Sequence, residues 1–143
     1  SDIVWSINPG NDSLERVISK MKEFAAEILD PLDISYTFSG EENLQPIRLD
    51  VSTRKNLFLI FKEAVNNAAK YSGAGNIKIQ FKKEPGRIAF CIDDNGKGFD
   101  TQTAFTGNGL RNMQARAKNI GGNLVIKSRA GSGTEIMLSF PLT

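Results

Sequence analysis

Apolar residues recur through the middle of this chain at Leu57, Ile60, Phe61, Ala64, Val65 and Ala68, the spacing that makes one continuous stripe down a helix of period 3.6. The stripe predicts a helix that starts near Ser52 or Thr53 and must turn that side toward a core. Glu63, Asn67 and Lys70 are four and then three residues apart, so they form a polar row along one edge of the same stripe. An ordinary amphipathic helix with polar surface groups satisfies the same spacing, and this stretch alone does not choose between the two.

The flanking patterns place further elements around that helix. Asp2 to Ile7 reads as the last turns of a helix anchored by Trp5, stopped by Asn8, Pro9 and Gly10 because proline pushes its predecessor out of the α region. Asp12 with Glu15 matches a capping box, and Leu14, Val17, Ile18, Met21, Phe24, Ala25, Ile28 and Leu29 continue it as a helical stripe over residues 13–29, ended by Pro31. Residues 34–38 read as a strand and 46–50 as a short edge strand. Ile77, Ile79 and Phe81 alternate with polar neighbours over 76–83, as in a half-buried strand, and Glu84, Pro85 and Gly86 turn the chain into a denser apolar strand at 87–93. After a glycine-rich loop over 94–109, a helix is expected at 110–120, stopped by Gly121 and Gly122. Strands at 123–128 and 134–140 complete the order. Helix, strands, helix, two strands, helix and two strands suit an α+β fold, a two-layer α/β sandwich whose mixed, mainly antiparallel sheet carries three helices on one face.

Length and composition narrow the class. A chain of 143 residues is the size of one domain and can bury about 68 to 70% of its unfolded surface. Its 40% hydrophobic and 24% charged content, with five prolines, is that of an ordinary globular domain. A net charge of +2, with both signs interspersed, offers no basic footprint for nucleic acid. The longest apolar run, residues 57–61, is far short of the roughly 20 residues that span a bilayer, and the N-terminus has no signal-peptide pattern, so a cytoplasmic domain is expected. The single Cys91 lies in the apolar run 88–92 and reads as a buried small hydrophobe. With no histidine in the chain, histidine-based general bases, triads and metal sites are excluded.

Two glycine loops carry the candidate chemistry. Asp94-Asn95-Gly96-Lys97-Gly98-Phe99 leaves the central strand with an acid and two glycines. Glycine lets the backbone approach a planar ligand, and the carboxylate can accept a hydrogen bond from a ligand amino group; a plain Asn-Gly turn is the alternative. Gly107-Asn108-Gly109 leads straight into a helix, where free backbone N–H groups and the helix dipole suit phosphate, although a simple glycine connector would look the same.

The acidic glycine loop, the phosphate-type loop, the Glu63/Asn67/Lys70 row and Gly131-Ser132-Gly133-Thr134 follow one another in a single small domain. Over residues 11–143 the combination resembles the ATP-binding domain of the gyrase, heat-shock chaperone, histidine kinase and mismatch-repair superfamily, the Bergerat fold. It is most similar to the catalytic domain of sensor histidine kinases, with EAVNNAAKYS as the asparagine box and DDNGKGFD and TGNGLRNM as the two glycine boxes. The resemblance implies ATP and Mg²⁺ as cofactors. It makes Asn67 the Mg²⁺ ligand, Lys70 a phosphate contact, Tyr71 a flank of the nucleotide and Asp94 the acceptor of the adenine amine. Thr134 would support Asp94 through a shared water, Gly96 and Gly98 would admit the base, and Gly107, Gly109 and Leu110 would wrap the phosphates. Glu63 takes a supporting catalytic role. Phe99 and Phe105 would either close over the nucleotide around a short lid, 100–106, or seal the core. Residues 1–10, DIVWSINP and its sequel, resemble the tail of a dimerisation helix and its linker.

The implied activity is transfer of the ATP γ-phosphoryl group to a histidine on a separate dimerisation domain, since this chain has no acceptor, with a response regulator receiver downstream and a membrane-anchored homodimer as the parent. An anti-sigma-type serine kinase of the same superfamily, needing Glu63 as base, and a catalytically silent nucleotide-binding docking module remain alternatives.

Overall fold

The computed structural model describes residues 2–98 and 108–142, and only the backbone at Ile3, Tyr71, Ser72 and Asn108. Its elements are α1 (Asp2–Ile7), α2 (Leu14–Leu29), β1 (Ser35–Ser39), α3 (Val51–Asn67), β2 (Asn76–Glu84), β3 (Arg87–Asp94), α4 (Asn108–Asn119), β4 (Asn123–Ser128) and β5 (Thr134–Pro141). One five-stranded sheet runs in the order β1-β2-β3-β5-β4. β1 is parallel to β2, and every other pairing is antiparallel. This is the expected mixed α+β sandwich, with α2, α3 and α4 sharing one core with the sheet.

Alternation along the strands sets that core. Ile77, Ile79 and Phe81 of β2, Ile88, Phe90 and Ile92 of β3, and Ile136, Leu138 and Phe140 of β5 are buried against the helices. Phe61, fully buried on α3, stands among rings from three other elements: Phe24 of α2 at 6.4 Å, Phe38 of β1 at 6.0 Å and Phe90 of β3 at 6.2 Å between centroids. A ring in contact with both layers makes α3 the element that joins them.

Several boundaries differ from expectation for identifiable reasons. Helix α3 starts at Val51 because Asp50 is its N-cap, accepting from the Thr53 N–H at 2.7 Å; that bond also holds the Asp50 carboxyl below its ordinary pKa. In α2 the cap is Ser13, which accepts from the Arg16 N–H at 3.2 Å, rather than Asp12. The Asp12 carbonyl instead accepts from the Leu49 N–H. The expected edge strand at 46–50 is irregular backbone with one isolated bridge, Arg48 to Ser13. Cys91 is half-buried on the sheet face turned away from the helices, because it alternates with Phe90 and Ile92. Burial first, then the nearby Glu135 and Asp93 carboxylates, push its thiol up to about 11, so it stays protonated near neutral pH.

Helix α1 packs on the domain. Asp2 meets Lys62 of α3 at 3.0 Å and Lys20 of α2 at 3.5 Å, and Trp5, the expected anchor, lies 6.3 Å from the Phe58 ring. Arg54 of α3 is buried and donates to the Ser6 carbonyl and, at 2.6 Å, to the Leu49 carbonyl. A buried guanidinium needs such acceptors. Among the described residues no helix is long and apolar enough to cross a membrane.

Candidate nucleotide site

The candidate residues gather around the C-terminal end of α3, where three loops converge. Glu63 and Asn67 are half-buried on the last turns of α3, and Lys70 is exposed just beyond. The chain does not continue there as an α-helix: Ala68–Ser72 form a π-helical turn, closed by Gly73 in the left-handed region at φ 63°. The i→i+5 winding is wider than an α turn, so Lys70 is rotated off the straight row predicted for Glu63, Asn67 and Lys70. Such turns are rare and are found frequently at functional sites, and no residue pattern in AAKYS announces one.

Asp94 ends β3 opposite Thr134, the first residue of β5. Both are buried. The Asp94 Oδ1 accepts from the Gly96 N–H at 2.9 Å. Burial raises the Asp94 pKa above its ordinary value, and the neighbouring Asp93 adds to the rise; the Gly96 and Thr134 N–H groups pull the other way. Thr134 is oriented by Ser128 of β4, whose Oγ lies 2.8 Å from its Oγ1 and donates to the Gly133 carbonyl at 3.1 Å. Gly98 has φ 67°, and a Cβ there would stand 2.1 Å from the Arg129 carbonyl oxygen; at Gly133, φ 78°, it would stand 2.1 Å from the Asp94 carbonyl oxygen. The Gly98 loop and the β4–β5 turn are therefore pressed together backbone to backbone, which only glycine permits.

The third loop arrives with α4. A Cβ on Gly109 would lie 2.2 Å from Glu63 Oε1 and 3.5 Å from Asn67 Nδ2, so the first turn of α4 lies directly on the polar edge of α3. Leu110 is buried beside it. This places Glu63, Asn67, Gly109 and Leu110 in one group, and Asp94, Gly96, Gly98 and Thr134 in a second. The groups are joined where Gly73 approaches the Lys97 side chain, 3.5 Å from a Cβ at that glycine, and where Asn95 bonds the chain after the π turn. Gly107, Phe99, Phe105 and the segment 100–106 lie outside the described residues, as does the Tyr71 side chain.

Comparison with known proteins identifies the family. The model for histidine kinase-, DNA gyrase B- and HSP90-like ATPases matches residues 52–143. The chain belongs to this family. Among curated proteins it is 38% identical over 98 residues to the sensor histidine kinase YdfH of Bacillus subtilis (strain 168), covering 66% of this chain and 24% of that protein. It is 29% identical over 123 residues to the sensor histidine kinase LiaS of the same organism, covering 85% of this chain and 34% of that protein. In fold it is similar to the Acinetobacter baumannii histidine kinase AdeS, with a TM-score of 0.75 at 20% identity over 92% of this chain and 66% of the other. The chain spans only about a quarter to a third of the length of these curated relatives. It carries the ATP-binding catalytic domain of the sensor histidine kinase type, and nucleotide binding follows from the family.

The donor set suits a metal shared with a ligand. Among the described residues no three Asp, Glu or Cys side chains cluster as a metal cage. The half-buried Asn67 amide, with the Glu63 carboxylate one turn before it, offers one or two oxygens, the number by which Mg²⁺ is commonly held when phosphates and water complete its octahedron.

Proposed function

We propose that this domain transfers the γ-phosphoryl group of ATP to a histidine on a separate dimerisation domain of the same protein. The observation that carries the reading is the convergence of three loops on the end of α3, one bearing a buried carboxylate and one bringing a helix N-terminus against an amide and a carboxylate. The buried Asp94 would accept from the adenine amine, with Thr134 beside it and Gly96 and Gly98 admitting the base. Buried carboxylates of this kind make charge-assisted bonds that are stronger than neutral ones. Lys70 and the backbone at Gly107, Gly109 and Leu110 would hold the phosphates, and Tyr71 would flank the nucleotide. Asn67 would hold Mg²⁺, which when bound neutralises phosphate charge.

Catalysis on this chain is then positioning and electrostatics. A neutral imidazole nitrogen brings its own lone pair to the γ-phosphorus as the bond to the β-phosphate oxygen breaks. No base on this chain has to make the nucleophile, and Glu63 supports rather than deprotonates. Residues 1–10 are read as the tail of the dimerisation helix and linker, the phosphoryl group as passing on to a response regulator receiver domain, and the parent as a membrane-anchored homodimer with this domain in the cytoplasm.

Calorimetry with Mg-ATP tests the site. The wild type should bind, and Asp94→Asn should bind about 10- to 100-fold more weakly, the value of a hydrogen bond to a charged group. Equal binding by the variant would refute the assignment of Asp94. Supplying a separately expressed dimerisation domain and labelled ATP should then place label on its histidine; label on serine would favour the serine-kinase reading.

A further inference from the structure

Beyond β3 the chain does not leave β2 at once. Asn95 continues the ladder one pair past the Ile77–Asp94 register, its N–H donating to the Asn76 carbonyl at 3.3 Å. Its side-chain Oδ1 accepts from the Gly75 N–H at 2.8 Å and from the Asn76 N–H at 2.9 Å, engaging both lone pairs of one amide oxygen. An asparagine that served only to make a local turn would bond its own neighbourhood; these partners are 20 and 19 residues away. Strand β1 grips the same two residues from the other side. The Ser35 N–H and Oγ both donate to the Gly75 carbonyl, at 3.0 and 3.1 Å, and the Asn76 Nδ2 donates to the Ser35 Oγ at 2.8 Å.

What this clamp holds is the exit of the π turn. Ala68–Ser72 is wound in a rare geometry. The upstream end is fixed by the burial of Ala64, Val65 and Ala68. Only two residues, Gly73 and Ala74, separate the downstream end from the Gly75 and Asn76 amides that Asn95 holds. Lys70 is exposed, so the backbone of this turn sets the point from which its flexible side chain reaches. On the other flank of Asn95 stands Asp94, bonded to Gly96.

We infer that Asn95 is a positioning residue that couples the two halves of the nucleotide site, holding the π turn that carries Lys70 at a set distance from Asp94. The inference rests on the nucleotide reading given above. A ligand that spans both halves, ATP, depends on that distance; a ligand confined to the Asp94 half, adenosine, does not.

Two measurements on Asn95→Ala test it. In the free protein, amide exchange over residues 68–72 should quicken about tenfold while amides of the β2–β3 ladder keep their wild-type rates, since opening is local. Asn95→Asp keeps an oxygen that can accept from both amides and should restore slow exchange. With ligand, the Ala variant should lose about tenfold in affinity for ATP and less than twofold for adenosine, a split that general destabilisation would not produce. Asn95→Ser, whose shorter side chain cannot reach both amides, gives the same readings should the Ala variant fail to fold. Unchanged exchange over 68–72 overturns the inference, and so does equal loss of ATP and adenosine. If the wild type binds neither ligand, the nucleotide reading falls, and the exchange result still decides whether Asn95 holds the turn.

Discussion

Gly98 and Gly133, on the Asp94 side of the site, differ in kind from Gly109 on the Asn67 side. The first two are in the left-handed region and meet carbonyl oxygens of the opposing loop, where a Cβ would stand 2.1 Å away. Gly109 starts an ordinary helix and meets the tip of a side chain, Glu63 Oε1, which a Cβ at this glycine would approach to 2.2 Å. Backbone pressed on backbone cannot yield without moving two loops, whereas a glutamate tip can rotate away. One half of the site is therefore preformed, and the other can adjust to what it holds.

The largest effect that would break this comparison is at the rigid half. Gly133→Ala and Gly98→Ala each add a Cβ in the left-handed region against a carbonyl, so each should cost about 2 to 4 kcal/mol in denaturant unfolding. A midpoint unchanged from wild type would show that these loops yield as easily as Gly109 does.

Next comes pH. The Asp94 pKa is raised in the fold, chiefly by burial. The folded protein therefore holds this proton more tightly than the unfolded chain, and the contribution to stability is present below the ordinary aspartate value of 3.8 and is lost as pH rises through the folded value. At pH 7 the ionised carboxylate is a cost to the free fold, so Asp94→Asn should raise the melting temperature of the free protein while weakening nucleotide binding. Wild-type nucleotide affinity should fall as the pH is lowered toward the raised value, at a higher pH than an exposed aspartate would give. A melting temperature lowered by Asp94→Asn would contradict the burial argument.

Ser128→Ala removes the hydroxyl that joins Thr134 and the Gly133 carbonyl and should cost about 1 kcal/mol, read by thermal melting. The smallest effect belongs to the yielding half. Gly109→Ala should cost only about 0.5 kcal/mol, and in a Glu63→Ala background that cost should vanish, a double-mutant cycle that isolates the single contact. A cost that survives without the Glu63 side chain would mean that the helix start is as fixed as the Gly98 loop.

Much of the frame is legible in the residues themselves. The apolar stripes of α2 and α3, the alternation of β2 and β5 and the bounds of β4 follow from local periodicity, and the glycine boxes point to Asp94, Gly96, Gly98, Gly109 and Leu110, which lie near the end of α3 among the described residues. What local pattern misses depends on partners remote in the chain. Alternation shows that Cys91 and Phe90 face opposite ways, but the dense run Ile88, Ala89, Phe90, Cys91 and Ile92 does not tell which face meets helices. No local pattern marks Arg54 of α3 as buried, because its acceptor is the carbonyl of Ser6, 48 residues earlier. Asn95 reads as half of an Asn-Gly turn, although its side chain serves another segment.

The amino-acid order alone determined most of the helices and strands, though not the irregular backbone at 46–50, together with which residues belong on one stripe and which few polar side chains could carry chemistry, because caps, proline and hydrophobic period act over a few residues. Only the tertiary structure decided that β5 lies between β3 and β4, that α3 unwinds into a π turn before Gly73, and that Gly109 comes to rest on Glu63. Those outcomes are set by contacts between segments that chain closure brings together, and no local pattern encodes which distant backbone group will face a given side chain.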